Sequence, residues 1–332
     1  MGCSLILAGN AALPNPQIWV LFVIAVVWGV LDAVQRPSLD AMLPRLVDRD
    51  ELTAAAALGS VRSTLGQILG PALGGVLLAT IGLPLTYMVD VATFVVGLAC
   101  LWLMHAVPPP VNAERPSFRR VVEGLRYARS RPELIGTYAV DMIAMFFGMP
   151  MALFPAIAQR LGGPGVLGLL YAAPAVGSFV FSATSGWTSR VHRHGMVVIV
   201  AAVVWGVAII GFGLAPGLIA SLAFLALAGA ADMMSGVFRS VIWNQTIPDS
   251  LRGRLASIEM LSYTSGPALG NFEAGLVASL FSVRVSVVSG GVLCVAGCLL
   301  CALALPTFRK YDGRGYHHAP DPDPGSVKRE KR

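Results

Sequence analysis

Stretches of about 20 apolar residues follow one another along almost the whole of this chain, and few folds accommodate such a pattern. As helices rising about 1.5 Å per residue, each is long enough to cross a hydrocarbon layer of about 30 Å. We read them at 17–38, 54–81, 84–106, 134–158, 165–188, 196–215, 217–242, 255–282 and 285–306, about nine spans in all. The charge content agrees: 55% of the 332 residues are hydrophobic and only 13% charged, against roughly a quarter charged in a soluble domain. The segments do not alternate apolar and polar residues, which argues against a membrane β-barrel. Residues 3–13, CSLILAGNAAL, are apolar but too short to cross and lack the basic leader of a signal peptide. They read as the end of a span whose beginning is absent.

Basic residues fall on alternate turns. Arg45 and Arg49, the arginines of 107–133, Arg190 and Arg193, Arg252 and Arg254, and the C-terminal tail lie on one side; LPNPQ, IGLPLT and LAPG on the other carry none. Arg160 and Arg284 are single exceptions. The basic side is expected to be cytoplasmic, with the C-terminus inside. This bias accounts for most of the net charge of +6, so no nucleic-acid partner is expected. In the 107–133 connection, SFRRVVEGLRYAR reads as an amphipathic surface helix, and Ser130 to Glu133 as a capping box opening the next span.

Little else suggests chemistry. Lys occurs only in the tail and there is no GxxxxGK[ST], so ATP is not the expected energy source. GPGVLG (163–168) fits GxGxxG but follows no strand. Cys294, Cys298 and Cys301 share a face of the last span; a soft metal is conceivable there, but small buried thiols in a membrane helix are the better reading. No cofactor, metal site or catalytic constellation is expected, and hence no enzyme.

The pentapeptide GPALG occurs at 70–74 and again at 266–270, 196 positions apart (266 − 70). The surroundings match too. GVLDAV (29–34) and GAADMM (229–234) put Asp32 and Asp232 late in corresponding spans, each before an acidic polar turn. Two halves of about 200 residues related by internal repetition are a transporter architecture. On that register the first half is short by roughly 60 to 65 residues. Within the first copy, Gly66, Gly70 and Gly74 form a smooth stripe that permits close helix approach, Gly75 extends it, and Pro71 bends the helix. Gly266, Pro267 and Gly270 are the second-copy counterparts. We expect these residues to pack the two halves together; an ordinary helix contact is the alternative.

LGQILGPALGG (65–75) resembles the helix-five antiporter motif GxxxGPxxGG of the major facilitator superfamily. AMLPRLVDRDELTAAAAL (41–58) and IPDSLRGRLAS (247–257) add to a resemblance that covers essentially the whole chain, and it is nearest to the branch of enterobactin and macrolide exporters. The superfamily's signature loop between helices two and three has no counterpart here; SGWTSRVHRHG (185–195) is a degenerate second copy lacking the acidic residue. The resemblance implies an all-α polytopic membrane protein with two pseudo-symmetric six-helix halves, the first incomplete. The expected parts are 1–106 (incomplete N-terminal half), 107–133 (cytoplasmic linker), 134–306 (C-terminal half) and 307–332 (disordered basic tail).

The resemblance also implies that helices four, seven and ten, which carry Asp32, Asp141 and Asp232, line a central cavity. Intramembrane charges cost a few kcal/mol each and tend to face the protein interior. The three carboxylates are candidates for binding protons or a cationic substrate, with structural pairing as the alternative reading. Arg36 lies four residues from Asp32 and could pair with it. No basic residue lies between Arg131 and Arg160, which makes Asp141 the expected proton carrier. Asp90, Glu273 and Arg62 are weaker candidates. The expected function is proton-coupled efflux of small amphiphilic molecules, of drug or siderophore class, by a monomer in the bacterial plasma membrane. The alternative is a non-transporting fragment or decayed gene product of such a transporter.

Overall fold

The computed structural model describes residues 1–46, 52–104 and 126–314; some side chains within the helices, that of Arg36 among them, lie outside the described set. Every described element is helical: α1 (Gly2–Ala11), α2 (Ile18–Leu46), α3 (Leu52–Leu103), α4 (Pro132–Phe147), α5 (Phe154–Leu161), α6 (Pro164–Ala183), α7 (His194–Leu214), α8 (Leu218–Thr246), α9 (Asp249–Leu280), α10 (Val283–Ala304) and α11 (Pro306–Arg309). Short 3₁₀ turns occupy Met151–Leu153 and Ser185–Arg190.

Among the described residues, six helical stretches are long and apolar enough to cross a membrane: Leu69–Leu103, Pro132–Leu161, Pro164–Ala183, His194–Leu214, Leu218–Thr246 and Val283–Ala304. Gly2–Ala11 and Ile18–Asp32 are shorter apolar helices. α9 covers the expected span 255–282 but carries Glu259 and Glu273 and is not among the six. The expected spans 54–81 and 84–106 run together as α3, broken only where Gly82 takes φ 75° and ψ 174°. Glycine alone adopts that conformation readily, and Pro84 follows it. The expected span 134–158 is interrupted: α4 stops at Phe147 and α5 starts at Phe154.

The chain forms two compact units, Met1–Glu114 with Pro164–Gly168, and Arg115–Gly163 with Leu169–Arg332. In the first, α1 packs on α2 and α3. Asn10 closes the turn between α1 and α2: its Nδ2 donates to the Gln17 carbonyl (3.2 Å), and the Gln17 amide donates to its Oδ1 (2.8 Å).

In the second, α7 lies between α8 and α10, while α4 packs on α9 and α10. Small residues set the approach, as expected where apolar burial gives helices no net attraction in lipid. A Cβ at Gly177 would collide with the Ala226 backbone, and one at Gly229 with that of Pro174. The Ser178 hydroxyl donates to the Gly229 carbonyl at the same crossing (2.8 Å). Cys294, Cys298 and Cys301 are buried packing residues of α10, and among the described residues no group of three potential ligands is placed to hold a metal.

Two local expectations are corrected. Arg131, not Ser130, is the N-cap of α4, and Pro132 occupies its first turn. The Ser130 hydroxyl instead donates back to the Tyr127 carbonyl (2.7 Å), a local bond that competes with capping. The rest of the amphipathic stretch, 117–125, lies outside the described residues. The start of the tail is packed rather than disordered. Phe308 is fully buried and Tyr311 nearly so, because both are apolar surfaces with a place to go. The Phe308 ring covers Gly136 of α4 so closely that a Cβ there would overlap it. The Tyr311 hydroxyl donates to Gln245 Oε1 of α8 (3.0 Å). Beyond it, the Arg314 guanidinium holds the half-exposed Asp312 carboxyl below the usual carboxylate range.

Candidate functional site: a buried charge cluster

α4 carries Asp141 and α8 carries Asp232 and Arg239. Seven residues separate the last two, so they lie on one helix face about 10 Å apart along the axis. In the second unit, Arg239 forms an ion pair with Asp141; their side chains are 2% and 5% exposed. A charge so deeply buried is tolerated only when paired. The charge of Arg239 also acts on Asp232 and on Glu259 of α9.

The guanidinium also lies against an aromatic shelf. Its Cζ lies 5.9 Å from the Trp243 ring centroid, a cation–π distance. Trp243 stacks on Tyr138 (5.6 Å, 25°) and donates from Nε1 to Thr137 Oγ1 (2.8 Å). Thr137 in turn donates to the Leu134 carbonyl (2.8 Å). Asp141 and Asp232 both line a small cavity with Ala144, Ala201, Trp205 and Ser235. Its space for a water centre is about 10 Å³, room for about one water.

Of the expected site residues, Asp141 and Asp232 are brought together. Asp32 is half-exposed on α2, in the other unit, and Arg36 lies outside the described side chains. The premise that Asp141 has no nearby cation is overturned: Arg239 supplies one from 98 positions away (239 − 141). A lone arginine near the end of the apolar run 217–242 is a signal the sequence already carried, as is its seven-residue spacing from Asp232.

The glycine motifs differ between copies. A Cβ added at Gly66, Gly70 or Gly74 would meet nothing within 4 Å, whereas one at Gly75 would lie 2.8 Å from the Gly168 backbone. Pro71 lies within α3 and Pro267 within α9. A Cβ at Gly266 would be 3.1 Å from Met145 Cβ, and one at Gly270 would collide with the Met145 carbonyl. These second-copy contacts are with α4, inside their own unit.

The model of the transmembrane secretion effector family matches residues 1–331. The chain belongs to this family of the major facilitator superfamily. It is 29% identical over 296 residues to the enterobactin exporter EntS of Citrobacter koseri, covering 89% of this chain and 71% of that protein. To EntS of Shigella boydii serotype 18 it is 28% identical over 304 residues (91% and 73%), and to EntS of Salmonella typhimurium 29% over 305 (91% and 73%). Its fold resembles the crystal structure of a bacterial homologue of the human lysosomal transporter Spinster, with a TM-score of 0.65 over 96% of this chain and 83% of that one, at 15% identity. This major facilitator protein is therefore a multi-pass membrane transporter, not an enzyme.

Proposed function

We propose that the chain is a proton-coupled exporter of small amphiphilic molecules, of the siderophore or drug class. It acts as a monomer in the bacterial plasma membrane with its C-terminus cytoplasmic. Its about nine spans fall in two repeat-related halves, 1–106 and 134–306, joined by the cytoplasmic linker 107–133 and followed by the tail 307–332. The 196-residue repeat supports the two halves. The enterobactin exporters among the relatives support the substrate class.

The charge cluster carries the coupling. Asp141, Asp232 and Arg239 together bear one excess negative charge when all are ionised. One added proton makes the group neutral, and an uncompensated charge inside the membrane costs several kcal/mol. The proton belongs to the carboxylate pair rather than to either member alone. With Asp141 ionised, its bond to Arg239 ties α4 to α8. Protonated Asp141 releases the guanidinium towards Asp232 on the same helix, and α4 and α8 are free to part. Protonation and helix movement are thereby one event, as antiport requires.

The test uses purified protein in liposomes with a pH gradient and enterobactin as the probe. Asp232→Asn should lose uphill transport by at least about tenfold while downhill exchange persists. Full gradient-driven transport in both Asp232→Asn and Asp141→Asn would remove the cluster from coupling, and loss in Asp32→Asn alone would move the role to α2.

A further inference from the structure

The interruption between α4 and α5 is bridged by side chains of three other helices. The sequence GMPMALFPA (148–156) places Pro150 and Pro155 where their missing N–H groups cannot bond the carbonyls of Phe146 and Met151. A continuous helix would also join the Ala152 amide to the Gly148 carbonyl. Neither partner does so here. The Ala152 amide donates to Asn271 Oδ1 of α9 (2.8 Å). The Gly148 carbonyl accepts from Trp205 Nε1 of α7 (3.0 Å). Met151, bonded through its carbonyl by the Phe154 amide in the 3₁₀ turn, also accepts the Tyr171 hydroxyl of α6 (3.2 Å).

The glycine backbone of α9 and α10 approaches the last turn of α4 closely. A Cβ at Gly270 of α9 would collide with the Met145 carbonyl and lie 2.7 Å from that of Phe146; one at Gly290 of α10 would collide with the carbonyl of Phe147. Backbone freed inside a membrane protein must be satisfied by neighbours, and here three helices each supply one side chain. Asn271 stands where the first GPALG copy has Gly75. That position abuts the Gly168 backbone, so the repeats diverge at the residue that does the clamping.

We infer that residues 148–153 form a hinge that opens independently of the two helices it joins, and that Asn271 is the positioning residue that closes it. Among the described residues, the Ala152 amide is the donor of this segment that bonds a helix other than the two it joins, through Asn271; Trp205 and Tyr171 hold its carbonyls. Breaking the Asn271 bond releases the segment while α4 keeps its glycine contacts and its ion pair.

Amide hydrogen exchange on the purified chain in lipid nanodiscs reads this without any substrate. Asn271→Leu should speed exchange at 151–153 roughly fivefold, the worth of one net hydrogen bond. Amides of 135–145 and 156–161 should stay within about twofold. Asn271→Asp, which keeps an acceptor oxygen in either protonation state, should hold exchange near wild type. Trp205→Phe should loosen the same segment. Should Asn271→Leu fail to reach the membrane, Asn271→Ala gives the same readout without added bulk. Unchanged exchange at 151–153, or an equal rise along α4 and α5, would overturn the hinge.

Discussion

Arg239 and Asp141 lie 98 positions apart (239 − 141) on α8 and α4 and meet as a buried ion pair. The pair links two of the three helices that line the cavity, so its loss has unequal consequences for stability and transport.

Arg239→Met should strand the Asp141 carboxylate and destabilise the second unit by about 3–5 kcal/mol. Adding Asp141→Leu should recover most of that, since an apolar pair of similar volume replaces a buried ion pair at little cost. Thermal unfolding in detergent measures both variants. The double variant should regain stability without regaining gradient-driven transport; recovery of transport would show that the pair is purely structural.

The two GPALG copies should respond differently to bulk. Gly270→Leu must push against the Met145 and Phe146 carbonyls and should cost about 1–3 kcal/mol or more. Gly70 has nothing within 4 Å, so Gly70→Leu should insert and unfold like wild type. Its transport should nevertheless fall by at least about tenfold if the stripe works by close helix approach during the cycle. Normal transport by a well-expressed Gly70→Leu protein would end that role.

Phe308→Ala should empty a fully buried site against Gly136 and cost about 3–5 kcal/mol. Limited proteolysis should then cut after residue 305 at concentrations that leave wild type intact. Tyr311→Phe removes the hydroxyl that bonds Gln245 and meets Thr246, each bond worth about 1 kcal/mol, and should show a smaller effect in the same assay.

Trp243→Phe keeps a ring near Arg239 but loses the donor to Thr137. Because the Thr137 hydroxyl still donates to Leu134, the loss should be about 1 kcal/mol in unfolding. A much larger loss would mean that the shelf, rather than Asp141, holds the guanidinium.

Much was legible in the chain itself. The length and spacing of apolar runs fix a polytopic helical protein, because lipid leaves the backbone no other way to satisfy its own hydrogen bonds. The repeated GPALG and its matching Asp residues pointed to the transporter family, which the family match over 1–331 shows. Asp141 and Asp232 were identifiable because an intramembrane charge is costly wherever it sits. What stayed hidden was pairing. Local sequence around Asp141 contains no cation, yet Arg239 reaches it across a helix interface. The prolines of GMPMALFPA announce a possible break but not how it is held. Trp205, Tyr171 and Asn271 come from three other helices, and Phe308 finds its seat on Gly136 from 172 positions away (308 − 136). Periodicity and cost per residue are properties of a segment, so the sequence alone determines them. Partners are properties of the space between segments, and only the packed tertiary structure decides which buried charge, amide or carbonyl meets which.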